Sequence, residues 1–261
     1  MEKQTAPIAV FDSGVGGISV LKEMVKIMPH EDFIYYGDSK NAPYGTKSLE
    51  EVRRLTIMHT QELLGQGAKA VAIACNTATS AAVRVLRQMY PDLPLVGIEP
   101  ALKPAVLSGK NPTVLVMATP MTIREEKFHK LLERYEDQAT IYPLPCPGLM
   151  EYVESGHANS PEVLEFLEHL LGEYRDKGVD AIVLGCTHYP FVRWAVQEVM
   201  GPEVKIFDGG EGTAREMLRR ITVADLCNPQ QDRIGKVTFM SSDFSEEKIA
   251  LFESLFHSEQ K

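Results

Sequence analysis

The sequence is short of the residues that would staple or anchor a chain. It holds four cysteines, Cys75, Cys146, Cys186 and Cys227, and no two form a C-x-x-C pair. That spacing excludes a disulfide scaffold and argues against a zinc site. A reducing, cytoplasmic setting is the expectation. No stretch approaches the roughly 20 apolar residues of a membrane helix. The apolar run in the opening MEKQTAPIAVF is too short for a secretory signal. Basic charge is also in deficit: 27 Lys and Arg stand against 36 Asp and Glu, a net charge of −9. Nucleic acid and anionic membranes attract basic patches. Here the pairs Arg53-Arg54 and Arg219-Arg220 are isolated in helical patterns, so neither partner is expected.

What remains is the composition of a soluble globular chain, 44% hydrophobic and 24% charged over 261 residues. That is long enough for one large domain or two modest ones. Short apolar runs alternate with helical spacing. Strands are expected at 7–11, 32–37, 69–74, 94–98, 113–118, 180–185 and 203–207. Ser48 with Glu51 forms a capping box opening a helix to about Leu64. Thr119-Pro120 and Ser160-Pro161 each read as an N-cap followed by proline at the first helical position. The second helix is expected to run to about Asp176. Such alternation predicts a mostly parallel sheet with helices on both faces. Ligands in such sheets bind beyond the carboxyl ends of the strands.

The chain also repeats itself. KAVAIACNTATSAAVRVLRQMYPDLPLVG lies on DAIVLGCTHYPFVRWAVQEVMGPEVKIFD without a gap. Cys75 then pairs with Cys186, a shift of 111 residues (186 − 75). Each copy reads strand, cysteine, polar residues, helix, strand. IAVFDSGVG and VLVMATPMT form an earlier matching pair, setting Asp12-Ser13 opposite Ala118-Thr119. Two facing halves would present both strand-end thiols to one cleft.

A cysteine between a strand and a helix sits where free N–H groups and the helix dipole favour an anion, lowering a thiol pKa from its usual ~8.5. Two such groups could form a redox disulfide, bind a soft metal, or stand on opposite faces of one carbon and exchange its proton. Asn76, Thr77, Thr187 and His188 are neutral donors and acceptors that suit a carboxylate and an ammonium group. The proton-exchange chemistry needs no cofactor, and none is evident. DSGVGG (12–17) lacks the G-x-G-x-x-G spacing of a dinucleotide loop, although Asp38 lies near the end of the second strand. Its backbone N–H groups suit a carboxylate. DSKNAPYG (38–45) reads as a loop with an exposed Tyr44, or as a flap whose backbone binds substrate. Cys146 and Cys227 read as structural or incidental.

FDSGVGG, GDSKNAPYG, ACNTAT and GCTHYP, in this order, resemble the glutamate branch of the aspartate/glutamate racemase superfamily, from about Ile8 to Asp243. The resemblance implies cofactor-independent interconversion of L- and D-glutamate, supplying D-glutamate for peptidoglycan. It implies Cys75 and Cys186 as the proton donors and acceptors, with Asp12, His188 and Glu154 assisting. Asp12, Ser13, Pro43, Tyr44, Gly45, Asn76, Thr77, Thr119, Thr187 and His188 would contact substrate, and no metal is implied. The implied fold is two similar doubly wound α/β domains related by pseudo-twofold symmetry, with the site between them. One domain would be 1–98 plus 209–261, the other 99–208. A homodimer is permitted but not required by the sequence. The alternative is a racemase or isomerase of the same superfamily acting on another carboxylate such as aspartate. His188, in place of an acidic residue after Thr187, argues against the aspartate branch. A carboxylate-binding module with two α/β lobes would need neither thiol.

Overall fold

The computed structural model describes residues 2–258, and the side chains of 3–258. Among the described residues nine strands are present: β1 (Ile8–Asp12), β2 (Phe33–Gly37), β3 (Ala70–Ile73), β4 (Leu95–Gly97), β5 (Thr113–Ala118), β6 (Thr140–Pro145), β7 (Ala181–Leu184), β8 (Lys205–Asp208) and β9 (Val237–Ser241). All pair in parallel. The chain divides into two compact units, residues up to 99 with 210–258, and residues 100–209. Among the described residues no helix is long and apolar enough to cross a membrane.

The first unit carries a sheet of order β4-β3-β1-β2-β9, the second one of order β6-β5-β7-β8. Read from the other edge, the second order is β8-β7-β5-β6, which is the first without β9. The registers agree as well. Val10 pairs with Ala72 and Val71 with Leu95 in the first sheet. Val116 pairs with Val183 and Ile182 with Ile206 in the second. The 111-residue repeat is therefore carried into strand order and pairing. β1 and β3 are buried along their whole length, as expected for strands covered on both faces.

Local chemistry sets the element ends. Ser48 accepts from the Glu51 N–H and opens the helix Leu49–Gly65, while the Glu51 carboxylate lies 3.1 Å from the Lys47 ammonium. Thr119 caps the helix Pro120–Arg124 by accepting from the Thr122 N–H. Ser160 precedes the helix Pro161–Leu171 without a side-chain cap bond. That helix continues as a 3-10 segment to Lys177.

β6 and β9, absent from the sequence expectation, are both edge strands. β6 contains Pro143 and Pro145, which hide its β pattern. Thr140 and Cys146 donate to Pro112 and Ala118 across the β5 side, so odd-numbered residues of β6 face the open edge. Proline loses nothing there. β9 reaches β2 because the returning chain is pinned. The buried Lys69 ammonium and the Asn228 N–H both hold the Glu31 carboxylate. Gly235 approaches so closely that a Cβ on it would lie 1.8 Å from the Glu31 carbonyl oxygen.

Candidate active site in two halves

In the first unit, β3 ends at Ile73 and Cys75 becomes the N-cap of the helix Asn76–Met89. Its sulfur accepts from the Ala78 N–H at 3.4 Å and lies 3.5 Å from the Ser13 hydroxyl. The thiol is 6% exposed. A helix N-terminus and a hydroxyl donor together stabilise negative charge on sulfur. Asp12 ends β1, and its carboxylate accepts from the Gly14 N–H at 2.9 Å. Gly17 permits this: a Cβ there would sit 2.5 Å from the Asp12 Cβ. Asn76 is buried, and its Oδ1 has no hydrogen-bond partner among the described residues. A buried, unpartnered acceptor is costly to a folded chain, and it suits a donor brought by a ligand.

The segment after β2 forms two short 3-10 turns, Ser39–Asn41 and Tyr44–Thr46, joined through a cis Ala42-Pro43 peptide. Tyr44 is not the exposed loop residue that its sequence context suggests. Tyr44 is 1% exposed. Its hydroxyl donates to Asp38 at 2.6 Å, and the Asn41 amide donates to the same carboxylate at 2.9 Å. The aromatic ring turns inward because Asp38 gives its hydroxyl a buried acceptor. Asp38, the acidic residue a nucleotide reading would need, is thereby committed inside the protein.

In the second unit Cys186, Thr187 and His188 follow β7, and all three are buried. The Cys186 sulfur lies 3.6 Å from His188 Nδ1, and His188 Nε2 lies 2.8 Å from Glu154 Oε1. Glu154 ends the helix Leu149–Glu154. Burial alone would lower the His188 pKa. The Cys186 sulfur and Glu154 carboxylate outweigh it, through hydrogen bonds and charge, and hold the imidazole well above its ordinary value. The row is thus sulfur, imidazolium, carboxylate. Gly185 lets β7 approach β5, since a Cβ there would meet the Met117 carbonyl oxygen at 2.8 Å.

The two halves use equivalent positions. The 111-residue shift takes Cys75 to Cys186, Asn76 to Thr187 and Thr77 to His188. The β1/β5 register takes Ser13 to Thr119. Two differences stand out. Asp12 becomes Ala118, and the second half draws its carboxylate from Glu154 instead. The helix also does not start at Cys186, as the repeat had suggested. In the first copy the Thr79 N–H donates to the Cys75 carbonyl at 2.9 Å. The equivalent residue is Pro190, which has no N–H. The Tyr189 N–H bonds the Cys186 carbonyl instead, a 3-10 turn Tyr189–Val192 follows, and the α-helix Arg193–Met200 begins later.

The other two cysteines differ in kind. Cys146 is buried after β6, its S–H directed to the Leu144 carbonyl, and burial pushes its thiol up. Cys227 is half-buried beside the Thr222 hydroxyl. All four are free thiols. Among the described residues no three or more His, Cys, Asp or Glu side chains are grouped to hold a metal ion.

The sequence profile of the Asp/Glu/Hydantoin racemase family matches residues 8–217. The chain belongs to this family. A glutamate racemase of Clostridium botulinum (strain Alaska E43 / Type E3) is 45% identical over 258 residues, covering 99% of this chain and all of the relative. The crystal structure of glutamate racemase from Thermus thermophilus, in complex with β-chloro-D-alanine, matches with a TM-score of 0.80 and 35% identity, covering 97% of this chain and 93% of that one. Glutamate racemase from Francisella tularensis, in complex with D-glutamate, matches with a TM-score of 0.84 and 27% identity over 99% and 96%. Members of this family thus share the fold described above along nearly the whole chain.

Proposed function

We propose that this chain interconverts L- and D-glutamate without a cofactor, by 1,1-proton transfer between Cys75 and Cys186. The observation that carries the reading is their equivalence: two thiols at matching strand ends in two units that share a four-strand order. Racemisation treats two mirror-image substrates alike, so it calls for two like groups. One thiolate takes the α-proton; the C–H bond breaks and its electron pair stays on the substrate. The other thiol gives its proton to the opposite face. One S–H bond forms as the other breaks, and no redox change occurs.

The surroundings support this chemistry. The Ala78 N–H and Ser13 hydroxyl favour a thiolate at Cys75. His188, held by Glu154, does the same for Cys186. Asn76 Oδ1 offers an acceptor for the ammonium group. Asp12, Ser13, the Pro43–Tyr44–Gly45 backbone, Thr77, Thr119 and Thr187 complete the substrate contacts in this reading, and the product would supply peptidoglycan synthesis. Burial of both sulfurs limits water, which strengthens electrostatic stabilisation of the developing carbanion. Chiral chromatography after incubation with each enantiomer of glutamate and of aspartate tests the assignment. Both glutamate enantiomers should converge on a racemate while aspartate stays unchanged. Faster turnover of aspartate would replace glutamate as the substrate; turnover of neither would end the reading.

A further inference from the structure

His59 is a buried histidine outside the residues discussed so far. It lies on the helix Leu49–Gly65 and is 4% exposed. Its ring stacks on Phe11 with centroids 5.7 Å apart and lies 4.8 Å from the Tyr36 ring. Nε2 is 3.1 Å from Asp38 Oδ2, an ion-pair contact without a hydrogen bond, and Nδ1 is 2.8 Å from Glu62 Oε2. Asp38 in turn anchors Tyr44 and Asn41, and its N–H donates to the Asp12 carbonyl. One ring therefore touches the carboxylate on which the whole 38–46 segment hangs.

We infer that His59 is a positioning residue: its ring clamps Asp38, and Asp38 fixes through Tyr44 the shape of the Pro43–Tyr44–Gly45 backbone. The consequence for turnover rests on the proposed reading that this backbone contacts glutamate; the clamp itself does not. The clamp depends on charge. Burial opposes protonation of His59, but its contacts with the Asp38 and Glu62 carboxylates outweigh it and raise its pKa. Asp38 is held down to about 2, because its contact with His59 and the bonds from Ser242, Tyr44 and Asn41 outweigh its burial. The groups facing the ring are Asp38 from the segment after β2, Glu62 from its own helix, Tyr36 from β2 and the apolar Phe11 from β1. A raised pKa means the clamp is fully charged below the ordinary histidine value and is lost as pH rises through the higher folded-state value.

Hydrogen exchange and kinetics on the full chain test this. His59→Leu should lower protection of the 44–47 amides about ten-fold while β1 and β3 amides stay within about two-fold. His59→Gln, which keeps a polar contact to Asp38, should fall between His59→Leu and wild type. In turnover, KM for glutamate should rise about ten-fold with kcat within about three-fold. Adding Tyr44→Phe to His59→Leu should raise KM no further than Tyr44→Phe alone, because both act through one path. Unchanged protection at 44–47, a fall confined to kcat, or additive effects would overturn the clamp. Should His59→Leu fail to fold, the wild type decides: loss of 44–47 protection with rising pH must share its midpoint with the His59 ring titration by NMR, and separate midpoints overturn the proposal. Absence of glutamate turnover in the wild type would sink the functional reading, while the exchange data would still judge the clamp.

Discussion

Replacing Glu154 with Gln removes one charge and almost no volume. The carboxylate now receives the His188 Nε2–H at 2.8 Å in a nearly dry setting. The glutamine carbonyl can still accept that proton, so the change is from a charge-assisted bond to a neutral acceptor. Charged bonds contribute about 1.5–3 kcal/mol and neutral ones about 0.5–1.5, leaving a loss of about 1–1.5 kcal/mol. If His188 supports Cys186 in the transition state, kcat/KM falls about 5- to 13-fold. L- and D-glutamate are mirror images of equal energy and share one transition state, so the factor must be the same from either side. A pH effect accompanies it. Glu154 helps raise the His188 pKa, so its loss brings the alkaline limb due to His188 to lower pH. The assay is initial-rate racemisation from each enantiomer across pH, with the His188 ring followed by NMR. A kcat/KM within two-fold of wild type, with an unmoved alkaline limb, would refute the role given to the Cys186–His188–Glu154 row.

Gly17→Ala places a methyl 2.5 Å from the Asp12 Cβ; overpacking of this kind destabilises by about 1–3 kcal/mol, read as a lower urea midpoint. Lys69→Met strands the buried Glu31 carboxylate and should lower unfolding free energy by about 3–5 kcal/mol, loosening the 228–241 return in hydrogen exchange first. Asp38 titrates at about 2 instead of 3.8. A depressed carboxylate contributes stability above its unfolded pKa and loses it as pH falls toward the folded value. Wild type should therefore lose about 2 kcal/mol more than Asp38→Asn between pH 5 and pH 1 in denaturant titrations. Equal losses in the two proteins would show that Asp38 carries no such stabilisation.

Much of this was legible in the sequence because burial writes simple patterns. The strands β1, β3, β5 and β7 are buried and almost wholly apolar, as parallel strands covered on both faces must be. Thr119 and Ser48 announce helix starts because hydroxyl caps depend on local chemistry alone. The paired cysteines emerged because the repeat preserves spacing. Long-range effects were not legible. β6 and β9 are edge strands, one masked by proline and one held by Glu31, Lys69 and Asn228 from distant segments. Tyr44 reads as a loop residue until Asp38 supplies its buried partner. Pro190, plain in the sequence, delays the second helix only in comparison with Thr79. His59 did leave a signal: Val52, Leu55, His59 and Leu63 recur at helical spacing, which puts the histidine on the apolar face.

The central claim is that one of Cys75 and Cys186 removes the α-proton while the other delivers a different proton to the opposite face, and deuterium oxide tests it most directly. L-glutamate is incubated with the wild type, Cys75→Ser or Cys186→Ser, and the α-proton is followed by NMR beside chiral analysis. The account predicts that the wild type forms D-glutamate carrying deuterium at Cα, and that neither variant racemises. Near-normal racemisation by either serine variant, or D-glutamate that retains its original α-proton, would contradict it.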